Sequence, residues 1–262
     1  MNRALRTAAT GMAAQQLNVD LISNNLANVN TTGFKKSRPE FQDLMYQTIK
    51  AGGSSEDGRV QEPAEIQVGN GVLPAAVVKN FGQGDIQPTN NPLDIAIQGD
   101  GFFQVQRPDG TIAYTRDGSL KVSGDGQLVT SQGYLIDPPI TFSSDTQSIT
   151  IGLDGTIQAT EAGQTSPTKI GQLELAKFVN PAGLSAIGNN LYVETVASGK
   201  PIQGAAGSVG FGELMQGSLE ASNVDVVEEM VSMIVAQRAY EINSKTIKTV
   251  EDMLEMANNL KG

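Results

Sequence analysis

The 262-residue chain contains no cysteine, no histidine and no tryptophan. Without cysteine it can form no disulfide and offers no thiolate to a metal. Without histidine it lacks the commonest general base, the commonest transition-metal ligand and the side chain that titrates near neutral pH. No stretch approaches the roughly 18 consecutive apolar residues of a membrane-crossing helix, so the chain is not expected to be membrane-embedded. The first residues carry Arg3 and Arg6 but no apolar run of the roughly 7–15 residues that a cleaved secretory signal needs. Taken alone, that points to the cytoplasm.

Basic residues are also scarce. Lys and Arg total 18 against 28 Asp and Glu, a net charge of −10. Residues 1–45 carry five basic and three acidic side chains, 46–212 nine and sixteen, and 213–262 four and nine. No segment has the basic excess of a nucleic-acid footprint, so nucleic acid is not an expected partner.

Glycine is plentiful, with 29 residues, and sits mostly in the middle of the chain. There it forms Asp57-Gly58, Asn70-Gly71, Asp100-Gly101, Asp109-Gly110, Asp117-Gly118, Asp125-Gly126 and Asp154-Gly155. Short apolar runs lie between them, at Leu93–Gln98, Phe102–Gln106, Gln127–Thr130 and Ser148–Ile151. Asx-Gly pairs between short strands signal hairpins, and several in succession predict a mainly β central domain. Lys50–Glu65 is polar and Gly-rich and reads as a long excursion, mobile or ordered only by neighbours.

Both ends read as helix. In the first, expected over Ala4–Val29, Leu5, Met12, Val19, Ile22 and Leu26 follow a heptad seam. Gly33 and Phe34 look like a hinge and an anchor where this helix hands over to the β domain. In the last, expected over Asn223–Leu260, Val226, Met233, Tyr240, Ile247 and Leu254 recur every seven residues, with Met230, Ala236, Val250 and Ala257 widening the stripe. Ser222 or Asn223 is the expected cap. Narrow seams on helices at opposite chain ends need partners. The economical arrangement is a coiled-coil pair of the two ends, whose outward faces meet other copies. Little area is buried by such a pair, so the ends are expected to be loosely structured in a lone chain and to fold on assembly.

Three boundaries follow. Residues 1–34 with 217–262 form a terminal helical assembly domain. Residues 35–80 with 190–216 form an extended β connecting region carrying a long loop, 46–72. Residues 81–189 form a β-rich outer domain.

No catalytic or cofactor motif stands out. Ser123-Gly-Asp-Gly-Gln and Leu153-Asp-Gly-Thr lack the ligand set of a Ca²⁺ loop. No phosphate loop, dinucleotide fingerprint or nucleophile elbow occurs. A glycan hydrolase would need one carboxylate pair, and the sixteen acidic residues of 46–212 single out none. The expectation is a protein without enzyme activity, cofactor or metal.

Four segments carry a resemblance. Ser23–Lys35 (SNNLANVNTTGFK), Thr89–Val105 (TNNPLDIAIQGDGFFQV), Tyr114–Leu120 (YTRDGSL) and Gln216–Thr246, which contains GSLEASNVD and QRAYEINSK, are similar to signatures of the bacterial flagellar rod and hook family. They occur in order over essentially the whole chain. Within that family the length and the 46–72 segment resemble the distal rod members, whose extended loop goes with a straight, rigid rod. Proximal rod or hook members are the alternative. The resemblance implies a self-assembling hollow shaft, with the terminal helices innermost around an export channel and the β domain outside. Its implied partners are other copies, proximal rod and hook proteins, surrounding ring proteins and the type III export apparatus. It also implies export without a cleaved signal peptide and a place in the periplasm-spanning rod of the flagellar basal body, in place of the cytoplasm.

Overall fold

A computed structural model describes residues 2–50, 53–54, 61–62, 65–163 and 166–259. The chain divides into two compact units. One comprises residues 1–26, 37–78 and 226–262, and the other residues 27–36 and 79–225.

The first unit holds both long helices, α1 (Asn2–Ala27) and α2 (Val226–Asn259). Neither contains proline, and α1 has one glycine, Gly11. The chain leaves α1 by a turn in which the Thr31 N–H donates to the Asn28 carbonyl at 3.1 Å. Both helices are shorter at their inner ends than periodicity suggests. Asn223 does not cap α2. Its Oδ1 accepts the Lys36 N–H at 2.8 Å, while its Nδ2 donates to the carbonyls of Asn80 (2.9 Å) and Gly82 (3.0 Å). Asp225 immediately precedes the helix, and Glu228 and Glu229 occupy its first turn, where the helix dipole favours negative charge.

The rest of this unit is β structure. Ser37–Asp43 pairs with Val72–Lys79. Tyr46–Lys50 runs antiparallel to Ile66–Gly69, with Tyr46 opposite Gly69 and Gln47 opposite Val68. Gly53–Ser54 pairs with Gln61–Glu62. The segment expected to be a loop is therefore a ladder along much of its length. The Asp57-Gly58 turn lies outside the described residues.

The second unit is built on a nine-stranded sheet whose central strand, Phe102–Gln106, pairs with Ile112–Thr115, Leu135–Asp137 and Glu174–Lys177. Alternate side chains of a strand point to opposite faces. Phe103 and Val105 accordingly enter a core with Ile95, Ile97, Leu120, Leu128, Ile136, Ile157, Leu173 and Leu175. Phe102 enters a second, aromatic cluster with Tyr114, Phe178 and Tyr192. Rings there meet edge to face, as for Tyr114 and Phe178 at 4.8 Å. Buried Gln104 accepts from Gln203 Nε2 at 2.7 Å.

Asp109-Gly110, Asp125-Gly126 and Asp154-Gly155 turn hairpins, each glycine having a φ of +79°. Asn70-Gly71, Asp100-Gly101 and Asp117-Gly118 instead join strands that pair elsewhere. At Gly118 the reason is steric. A Cβ there would lie 1.7 Å from the Ile95 carbonyl oxygen, so the glycine serves a close backbone approach.

Candidate assembly interface

Contacts between α1 and α2 run in reverse order along the two helices. Asn25 Nδ2 donates to Glu229 Oε2 at 3.2 Å. Gln16 and Val19 line one groove with Gln237, Tyr240 and Glu241. A Cβ on Gly11 would lie 2.9 Å from Asn243 Nδ2. Asn25 to Gly11 and Glu229 to Asn243 are both intervals of 14 residues, or ~21 Å of helix.

Buried positions of α2 are Glu229, Ala236 and Val250, and Met233, Asn243, Ile247 and Leu254 are half-buried. Together these form a row with steps of four, three, seven, four, three and four, the long step passing over exposed Tyr240. In α1, Ala8, Ala14, Ile22 and Asn25 are buried, and Leu5, Met12, Val19 and Leu26 are half-buried. Val226 and Tyr240, assigned to the seam by their seven-residue spacing, are 39% and 40% exposed.

A second apolar row on α2 faces solvent. Val227, Met230, Val231, Ile234, Val235, Ile242, Met253 and Met256 are all exposed, Val227 at 71% and Ile242 at 65%. The helix is thus apolar on more than one side.

The segments flanking the helices meet at a buried charge cluster in the second unit. Lys35 Nζ lies 2.5 Å from Glu220 Oε1, with both side chains fully buried. Arg116 Nε stands 3.7 Å from Glu220 Oε2, and its guanidinium lies 5.6 Å from the centre of the Phe102 ring. The cluster is tied to backbone: Lys35 Nζ donates to the Gly82 carbonyl at 2.8 Å, Arg116 to the Gly99 carbonyl at 2.9 Å, and the Gly84 N–H donates to Glu220 Oε1 at 2.9 Å. Burial lowers the Lys35 pKa against the opposing pull of Glu220, and burial likewise lowers that of Arg116. Burial also pushes the Tyr192 phenol up to about 12, with Arg116 opposing and Glu220 adding to the rise.

Gly33, read as a hinge, has a φ of +65°, and its N–H donates to the Glu220 carbonyl at 2.8 Å. A Cβ there would lie 2.8 Å from the Arg116 carbonyl carbon. Phe34 is buried, and the Lys79 ammonium sits 5.3 Å from its ring centre. All four family-like segments contribute to this cluster: Lys35 from the first, Gly99 and Phe102 from the second, Arg116 from the third and Glu220 from the fourth. Among the described residues, no group of three or more Asp or Glu is arranged to hold a metal ion.

Comparison with known families assigns the class. Residues 5–35 match the flagella basal body rod protein family, residues 96–159 the D1 domain of the flagellar hook protein FlgE/F/G family, and residues 215–260 the C-terminal domain of the flagellar basal body rod FlgEFG proteins. The chain belongs to the flagellar basal-body rod and hook protein family. It is 55% identical to the flagellar basal-body rod protein FlgG of Borreliella burgdorferi, over 100% of this chain and 99% of the relative. The FlgG proteins of Caulobacter vibrioides and Bacillus subtilis are 51% and 41% identical, over 99% and 100% of both chains respectively.

Proposed function

We propose that the chain is a structural subunit of the distal part of the bacterial flagellar rod, where copies stack into a hollow, rigid shaft that transmits torque and passes exported subunits. Full-length similarity to FlgG rod proteins supports the identity of the subunit and its place in the flagellar basal body. The observation that carries the mechanism is the exposed apolar row of α2. Burying one such side chain is worth about 1.5–3 kcal/mol, so a row of them favours contact with further copies.

In this reading the two helices pair as an antiparallel coiled coil within one chain. Leu5, Met12, Val19, Ile22 and Leu26 of α1, with Met233, Ile247 and Leu254 of α2, form its seam and neighbouring contacts. Val226 and Tyr240 join Val227, Ile234 and Ile242 as contacts between copies. Gly33 and Phe34 fix the exit from α1. The partners are other copies of the chain, proximal rod and hook proteins, the ring proteins around the shaft and the type III export apparatus. No chemistry beyond assembly is invoked, and the absence of histidine and cysteine suits a structural role.

The test is genetic and visual. A strain lacking this chain is expected to be non-motile, with basal bodies whose rods stop short of the hook. Restoring the chain returns both rod and motility. Complete rods in the deletion strain would refute the proposal.

A further inference from the structure

Lys35 and Glu220 sit on the two chain passages that lead to the helices. The first passage, Gly33–Lys36, follows α1, and the second, Glu220–Asn223, precedes α2. Backbone and side-chain bonds lace them together: Gly33 N–H to the Glu220 carbonyl (2.8 Å), Asn223 N–H to the Phe34 carbonyl (3.4 Å) and Lys36 N–H to Asn223 Oδ1 (2.8 Å). Two glycines make the approach possible. A Cβ on Gly33 would lie 2.8 Å from the Arg116 carbonyl carbon, and one on Gly84 would lie 2.2 Å from the Ala221 carbonyl oxygen.

Stability alone gives little reason to place charges here. Desolvation of a buried ion pair roughly cancels its attraction, and apolar replacements are often as stable or more so. A buried carboxylate facing two cations instead has few geometries that satisfy it. Arg116 Nε and Glu220 Oε2 have no hydrogen-bond partner, leaving their 3.7 Å ion pair as what each finds there.

We propose that Lys35 and Glu220 are positioning residues for assembly: their buried contact clasps the two passages side by side, so that α1 and α2 leave as neighbours and pair within the same chain. The clasp raises the effective concentration of one helix for the other. This inference rests on helix pairing and not on the rod reading, and its test uses the monomeric chain, so either can fail without the other.

The absence of native cysteine makes disulfide trapping clean. In full-length Gly11→Cys/Asn243→Cys protein, kept dilute enough to remain monomeric, the two thiols are adjacent across the helix pair and should close an intramolecular disulfide. Adding Glu220→Gln or Lys35→Met is expected to slow closure about tenfold or more while the thermal transition of the β unit persists. Ile157→Ala, a core truncation in the same unit remote in sequence from the cluster, is the control and should leave the closure rate unchanged. Closure at the parent rate in the charge variants, or equal slowing by Ile157→Ala, overturns the proposal. Should a single charge variant fail to fold, the all-apolar Lys35→Met/Arg116→Met/Glu220→Met chain replaces it. Parent-rate closure in that chain, or loss of its β unit, likewise overturns the proposal.

Discussion

Lys35 Nζ and Glu220 Oε1 meet at 2.5 Å with neither side chain exposed, although 185 residues separate them in sequence. Removing one partner of such a pair leaves the other charge buried and uncompensated, which costs about 3–5 kcal/mol. Glu220→Ala strands both Lys35 and Arg116, so its loss of stability is expected at the upper end of that range. Denaturant unfolding followed by circular dichroism measures it.

The Ile95–Gly118 crossing predicts a steric contrast between glycines. Gly118→Ala puts a methyl group 1.7 Å from a carbonyl oxygen, and overpacking of this kind costs roughly 3 kcal/mol. Gly133→Ala meets nothing within 4 Å and pays only for its φ of +88°, about 1–2 kcal/mol. The melting temperature should therefore fall further for Gly118→Ala. Equal losses would contradict the close backbone approach.

Alkaline pH should weaken the β unit through Tyr114 and Tyr192. Burial pushes both phenols up from 10.0 to about 12. Below pH 10 folded and unfolded states are both protonated. Between 10 and 12 the unfolded chain releases protons that the folded chain keeps, so stability falls as pH rises. Lys35 and Lys79 act in the opposite sense. Burial lowers their pKa values from 10.5, so the folded state sheds protons first and stability rises as pH climbs toward 10.5. Comparison of Tyr192→Phe with the parent isolates the phenol: the substituted chain should lose less stability between pH 10 and 12 in urea titrations.

On α2, inward and outward positions should separate assembly from folding. Ile234 and Ile242 are 56% and 65% exposed. Ile234→Glu and Ile242→Glu should leave the unfolding free energy of the lone chain within about 0.5 kcal/mol. They should nevertheless abolish rod formation, scored by electron microscopy of basal bodies. Ala236, 1% exposed, is the contrast. Ala236→Leu overfills the space around this buried position and should lower monomer stability by about 1–3 kcal/mol.

Deletion of Lys50–Glu65 removes the paired Gly53–Ser54 and Gln61–Glu62 and leaves most of the pairing of Tyr46–Lys50 with Ile66–Gly69. Polymerisation is expected to persist and the shaft to bend more readily, as measured by its persistence length in electron micrographs. Loss of polymerisation would contradict this.

The helices were legible because their apolar side chains repeat every three and four residues, which only a helix brings to one face. Their inner ends were not, since Asn223 looks like a cap until its amide is seen bridging Lys36, Asn80 and Gly82. The seven-residue spacing runs through Met233, Ile247 and Leu254, which are half-buried, and passes over Glu229 and Asn243, whose polar side chains approach Asn25 and Gly11. Asx-Gly pairs mark hairpin turns and other connections alike, and the Ser131-Gln132-Gly133 hairpin turn has no such pair. Local sequence does not say whether the strands on either side then pair with each other, so Asp109-Gly110 and Asp117-Gly118 looked alike. The charge cluster was the least legible feature. Lysine, arginine and glutamate are ordinarily surface residues, and nothing local marks Lys35, Arg116 and Glu220 as buried together. The one available signal was that each lies inside a segment resembling a family signature.

Helical reconstruction by electron cryomicroscopy of the rod formed by this chain tests the assembly claim most directly. The account predicts a straight tube in which Val227, Ile234 and Ile242 of one copy are buried against helices of its neighbours, while α1 and α2 of each copy stay paired. A rod in which that row of α2 remains open to solvent, or a chain that never enters a tube, would contradict it.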